Sequence, residues 1–181
     1  MAVVVVREAV RDDAAAIVRV RARTWQSAYA HVFPQQALEA MSSESSISRA
    51  DGVVARRHRE RASEITRADR RCVGRGRQLR PFGATLDEAG DRDQVGELYA
   101  IYVLPESSGR GVGQALMAET LLRLDEDGFA EAVLWVLEDN PRTRRFYEFS
   151  GWQADGSVKD EEWLGTLVRE VRYRISLEPA A

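Results

Sequence analysis

The chain has 181 residues, 44% of them hydrophobic and 30% charged, which is the balance of one soluble globular domain and unlike a disordered or fibrous protein. A formal net charge of −3 and a pI near 5.6 give the whole chain no electrostatic bias toward nucleic acid or an anionic membrane. The lone cysteine, Cys72, excludes an intrachain disulfide, a Cys-based zinc site and a redox pair.

No stretch approaches the length of about 18 apolar residues that a membrane span requires, and the short opening run meets charge at Arg7, so a cytoplasmic location is expected. Val3 to Val6 is β-branched and reads as a short buried strand. Asp12 and Asp13 offer N-caps for a helix over Ala14 to Tyr29, where Ile17, Val20 and Trp25 recur at near-helical spacing. The pattern then degrades. A serine cluster from Ser42 to Ser48 leads into eleven arginines against four acids between Arg49 and Arg80, and loop or marginal helix is the reading there.

Order returns at Val95. From Val95 to Leu104 the alternation puts Glu97, Tyr99, Ile101 and Val103 on one face and Leu98, Ala100 and Tyr102 on the other, as in a central strand. Pro105 ends it, and Ser107 to Gly113 turns into a helix over Val112 to Asp127 with Gly128 as its stop. Ala132 to Leu137 reads as another strand. Pro141 then suits the first position of a helix reaching about Ser150, and Leu167 to Leu177 alternates as a last strand. The whole is one domain over 1–181 with the order βα, then β-loop-αβαβ.

Gly109-Arg110-Gly111-Val112-Gly113 lies between a strand and a helix, whose first turn leaves backbone N–H groups unpaired at the positive end of the dipole. A pyrophosphate fits such a turn, with Arg110 adding charge at its rim. Three glycines can equally be only a tight connection. A Walker loop is excluded because Gln114 follows Gly113, and a dinucleotide fingerprint is disfavoured because the third glycine comes one residue early.

Taken together, the strand Leu98 to Val103, the turn Ser108-Gly109-Arg110-Gly111-Val112-Gly113, the strand Ala132 to Val136, Asn140, and Arg145-Phe146-Tyr147-Glu148 with Gly151-Trp152 resemble the coenzyme A-binding core of the GNAT (Gcn5-related N-acetyltransferase) family. The tight match runs from 95 to 152. It implies an α/β fold with a mixed central sheet flanked by helices, acetyl-CoA as co-substrate, and transfer of acetyl to a primary amine of a small molecule or peptide by direct attack. Ser108 departs from the Arg or Gln usual at its position, and weakened phosphate binding follows, since such a loop works mainly through backbone N–H groups.

Acetyl transfer needs a neutral amine, a donor for the developing oxyanion and a proton for the leaving thiolate. The resemblance implies Glu97 as base, the backbone of Ile101 and Val103 on the pantetheine and thioester carbonyl, and Tyr147 as acid near the sulfur. It implies Asn140 on the pantetheine and Ser108, Gly109, Arg110, Gly111, Val112 and Gly113 around the pyrophosphate. Against these stand a salt-bridged strand carboxylate for Glu97, a core aromatic for Tyr147 and an ordinary turn cap for Asn140. Trp25 and Tyr29 fall where family members line the acceptor cleft, or simply pack in the core. His31 and His58 lack metal-ligand spacing and are expected at the surface; no metal is expected.

Segment 42–80 is atypical. A family member has there a helix and two apolar strands ending in a Val-Gly-Phe-like hairpin. The codons for Val73 to Pro81 permit a neighbouring frame reading roughly Val-Val-Gly-Ser-Phe-Gly, which would supply the strand. Read as it stands, the Arg-rich 49–80 block admits a nucleic-acid-binding protein as one alternative. A non-catalytic acyl-CoA-binding sensor is the other. A homodimer is the expectation the family carries.

Overall fold

The computed structural model describes residues 4–7, 9, 13–40, 82–87 and 90–177. In chain order these form α1 (Ala14–Ala28), α2 (Gln35–Ala40), β1 (Phe82–Ala84), β2 (Val95–Leu98), α3 (Val112–Glu126), β3 (Glu131–Leu137), α4 (Pro141–Phe149), β4 (Gln153–Trp163) and β5 (Thr166–Ser176). The five strands make one mixed sheet in the order β1-β2-β3-β5-β4. Only β2 and β3 run parallel, with α3 as their crossover; every other neighbouring pair is antiparallel.

The period of two in the strands sorts their side chains onto two unlike faces. Ala132, Leu134 and Val136 of β3, with Val171 and Tyr173 of β5, join Leu98, Met117 and Leu124 in an apolar cluster under α3 and α4. Leu124 and Tyr173 have no exposed surface there, and burying one large apolar side chain in this way contributes about 1.5–3 kcal/mol. On the other face α1 and α2 cover only one end of the sheet, where Trp25, Phe33 and Leu38 pack on Leu137 and Val168. Trp25 stacks between Phe33 and Trp163, each at 5.5 Å between ring centroids.

The helices begin and end where local chemistry dictates. Pro141 opens α4, whose N-cap Asn140 accepts from the Thr143 N–H at 3.1 Å. Gly128 closes α3 with φ +92° while the Phe129 N–H returns to the Leu124 carbonyl. Asp13 stands at the N-cap position of α1 without capping it, because its carboxylate is drawn into a bidentate pair with Arg7 at 2.7 and 2.8 Å.

Two expectations change. Residues 4–6, the described part of the expected opening strand, carry no strand, and Val5 is 81% exposed. Conversely, β4 is an eleven-residue edge strand in a stretch where the sequence predicts no element. With solvent along it, β4 needs little apolar alternation, and charge is what protects an open sheet edge. Segment 42–80, with Cys72, His58 and the arginine block, lies outside the described residues.

Candidate active site

The expected central strand is only half a strand. β2 pairs with β3 from Val95/Glu131 to Leu98/Leu134 and stops, whereas β3 continues through Leu137 on its β5 side. Residues 99–104 therefore part from Trp135, Val136 and Leu137, and a cleft opens between two chains that began as neighbours. Among the described residues the N–H and carbonyl of Ile101 make no backbone hydrogen bond, and the Val103 carbonyl accepts only from the Thr24 hydroxyl, at 3.1 Å.

The alternation also slips where the ladder ends. Tyr99 stands over Gly83, the β1 partner of Glu97, so these two share a face. Ile101 packs with Leu98 in the cluster under α3 and α4, and Val103 lies near Gly113 of α3, while Tyr102 joins the cluster under α1 and α2. Glu97 thus does not share a face with Ile101 and Val103, as unbroken alternation required. One slip of phase sends every later side chain to the opposite side.

At the mouth of the cleft the chain passes through a short turn, Pro105–Ser107, into the glycine segment. Gly109 and Gly111 hold φ of +74° and +81°, and a Cβ on either would meet nothing within 4 Å, so backbone conformation rather than crowding selects glycine there. Gly113 differs: its Cβ would press on the Phe146 ring at 3.3 Å, so it lets α3 approach α4. No side chain caps α3, and its first returning bond is Ala115 N–H to the Gly111 carbonyl at 2.9 Å. The N–H groups of Val112, Gly113 and Gln114 are left facing outward. Ser108 uses its own N–H on the Pro105 carbonyl at 3.2 Å, and Arg110 is exposed at the rim.

Asn140 and Tyr147 stand at the same end. Asn140 is buried, and while its Oδ1 caps α4, its Nδ2 has no hydrogen-bond partner among the described residues. An orphaned buried donor is costly unless something accepts from it. Tyr147 is 7% exposed and packs with Phe146, Trp152 and Tyr173. Burial pushes its phenol well above the ordinary value, with Tyr29 and Tyr102 adding to the rise, so it stays protonated at neutral pH. Tyr29 is likewise raised by burial, opposed by the neighbouring Asn140. Trp25 belongs to the aromatic core, and His31 is exposed with Nε2 3.2 Å from the Asp139 carbonyl oxygen.

Glu97 is buried on the face away from α3 and α4. Its Oε2 accepts from the Leu86 N–H at 2.7 Å and the Thr85 hydroxyl at 3.2 Å, and its Oε1 accepts from none of the described residues. Burial raises its pKa above the usual carboxylate value, the two donors work against this, Asp87 adds to it and Lys159 opposes it. Around it runs a charged network that the linear reading missed. Arg172 donates to Asp87 and Asp155, each at 2.7 Å; Trp135 Nε1 donates to Asp87 at 3.1 Å; Lys159 pairs with Glu161 at 3.0 Å and buried Glu170 at 3.3 Å. One signal was present in the sequence: Glu170, Arg172 and Arg174 occupy every second position of the last strand, opposite to Val171, Tyr173 and Ile175.

Comparison with known proteins agrees with this geometry. A family model described as the acetyltransferase (GNAT) family matches residues 25–152. An N-acetyltransferase, YuaI, of Bacillus subtilis is 30% identical over 138 residues, covering 76% of this chain and 74% of that protein. A mycothiol acetyltransferase of Kocuria rhizophila is 39% identical over 70 residues, 37% of this chain; the chain spans 23% of that protein's length. In fold, the chain is similar to the PaiA N-acetyltransferase of Thermoplasma acidophilum in complex with coenzyme A, with a TM-score of 0.62 at 18% identity, covering 94% of this chain and 96% of that one. With the split β2–β3 pair, the glycine turn and the family match in agreement, this chain belongs to the acetyltransferase (GNAT) family.

Proposed function

We propose that the chain transfers the acetyl group of acetyl-CoA to a primary amine of a small molecule or peptide by direct attack. One observation carries this reading: β2 and β3 part after Leu98/Leu134 while β3 stays paired with β5 through Leu137. The cleft so made ends at an uncapped helix N-terminus with three outward N–H groups. The residues fit the co-substrate on two counts. The glycine turn leaves open space over Gly109 and Gly111, and the unpartnered Asn140 Nδ2 is a donor for an amide carbonyl at the cleft mouth.

Bound there, acetyl-CoA supplies an activated acyl group; everything else falls to the chain. The Val112, Gly113 and Gln114 N–H groups hold the pyrophosphate, with Gly109 and Gly111 shaping the turn and Ser108 and Arg110 at its edge. The free backbone of Ile101 and the partly used backbone of Val103 orient the pantetheine arm and steady charge developing on the thioester oxygen. Glu97, raised in basicity and with Oε1 free, takes the proton of the incoming amine. The slip beyond β2 supports this reading, because Glu97 faces the α1/α2 side while the backbone of Ile101 and Val103 continues along the cleft. Tyr147, kept protonated by burial, returns a proton to the departing thiolate.

No helix among the described residues is long and apolar enough to cross a membrane, and the cytoplasm, where acetyl-CoA is made and used, is the compartment this reading favours. Calorimetric titration with acetyl-CoA tests it. Micromolar binding, weakened about tenfold or more by Gly111→Val through strain at φ +81°, is the expected result. Gly111 is the site to change because Gly113→Val would also disturb Phe146. A folded chain that does not bind acetyl-CoA overturns the proposal.

A further inference from the structure

The chain contains twenty-five arginines and one lysine, Lys159. That single lysine sits on the edge strand β4 opposite Glu170 of β5, yet its Nζ lies 4.5 Å from the centre of the Trp135 ring on β3. Two strand spacings, about 10 Å, separate β4 from β3, so the side chain reaches back across β5 toward the cleft rather than out to solvent. Trp135 is the first residue of β3 beyond the point where β2 leaves it. The ammonium therefore hangs over the closed end of the cleft, on the same face as Glu97.

Its partners resemble those an acceptor amine would need. Nζ lies 3.0 Å from Glu161 and 3.3 Å from Glu170, whose side chain is 3% exposed, while the lysine side chain keeps 33% of its surface open. Glu170 feels the charge of Glu97, and both feel that of Lys159. The other cation at this ring, Arg172, is held by Asp87 and Asp155 and cannot act as a nucleophile. One primary amine of the protein itself thus stands among carboxylates on the face that carries the proposed base.

We propose that Lys159 is a self-modification site, acetylated within the same chain by the site described above; this rests on the acetyl-CoA reading. In the step, the Lys159 ammonium gives a proton to Glu97 through intervening water, and the freed Nζ lone pair attacks the thioester carbonyl carbon. The N–C bond forms, the C–S bond breaks, the thiolate takes its proton from Tyr147, and the second proton that the nitrogen sheds on becoming an amide restores the phenol. The products are Nε-acetyl-lysine and free coenzyme A, with one proton released in balance. Acetylation removes the only lysine cation from the face and leaves Glu161 and Glu170 without their ion pair, which makes the acceptor side more attractive to a cationic amine. Before reaction, Glu161 and Glu170 outweigh the effect of burial and hold the ammonium above its ordinary pKa, so the reaction is slow near neutrality.

The full chain, prepared without added lysines, is incubated with acetyl-CoA and followed by intact mass and peptide mapping, beside calorimetry of acetyl-CoA binding. The expected result is a gain of one acetyl group on Lys159, first order and independent of protein concentration. K159R gains none there, and E97Q and Gly111→Val are slower by about tenfold or more. If acetyl-CoA binds but Lys159 stays unmodified, the inference falls and the acetyltransferase reading stands. Modification that is equally fast in Gly111→Val, or whose rate grows with protein concentration, also overturns it. If the folded chain does not bind acetyl-CoA, the functional reading fails first and the inference with it.

Discussion

The two faces of the sheet are built from the same strands and do different work. Under α3 and α4, Ala132, Leu134, Val136, Val171 and Tyr173 meet helix side chains in a closed apolar layer. The opposite face of the sheet carries Glu97, held by the Leu86 N–H and the Thr85 hydroxyl, together with Trp135 and Arg172 on Asp87 and the Lys159–Glu170 pair. In the proposed reaction, one face packs the sheet and the other supplies the polar groups. The division follows from the period of two, which lets one strand serve an oily layer and a polar one at once. Tyr147 crosses the division, since it belongs to the apolar cluster yet is the proton donor we propose.

Substitutions that separate stability from chemistry would break this contrast if it were false. The largest effect is expected for Glu97→Gln, with kcat/KM down by about 10²–10⁴ and acetyl-CoA affinity by calorimetry unchanged. In the parent protein the acidic limb of the rate profile should lie above the usual carboxylate range, because burial raises Glu97, and the variant should lose that limb. Stability carries the matching sign. A folded pKa above the unfolded one gives stability at low pH that is lost as pH rises through the raised value. Melting temperatures should therefore shift in favour of Glu97→Gln as pH climbs.

On the apolar face Leu134→Ala, at a residue 1% exposed, should cost about 2–5 kcal/mol in denaturant unfolding. The fraction that remains folded should keep its acetyl-CoA affinity. Tyr147→Phe sharpens the comparison: it keeps the ring that packs on Trp152 and Tyr173 and removes only the proton donor. A fall in kcat of about 10² with an unchanged melting temperature is expected, whereas equal kcat would return Tyr147 to a purely packing role. The smallest effect belongs to Arg169→Ala. Its pair with Asp160 is exposed on both sides, and no measurable change in melting temperature should follow.

Much of the cofactor half was legible in the sequence because its signals are local. A turn that needs positive φ selects glycine at Gly109 and Gly111 wherever the rest of the chain lies, Pro141 and Asn140 start a helix by their own chemistry, and the boundaries of α3 and β3 fell within one residue. The strand over Val95 to Leu104 was legible only in part. Alternation announces extended chain but not a change of phase within it, so the slip between Tyr99 and Ile101 did not show. β4 escaped for a related reason, since an edge strand with solvent on it has no apolar period to read.

What the sequence determined by itself is therefore the set of short-range devices: the glycine turn, the helix stops, the parity of β3 and β5, and the presence of one lysine among many arginines. Tertiary structure decided which devices meet. It set Glu97 across the sheet from the backbone of Ile101, laid Asn140 beside Tyr29, and carried Lys159 over Trp135 from two strands away. These pairings depend on register and sheet order, and both are set by contacts between segments far apart in the chain, which no local pattern of residues encodes.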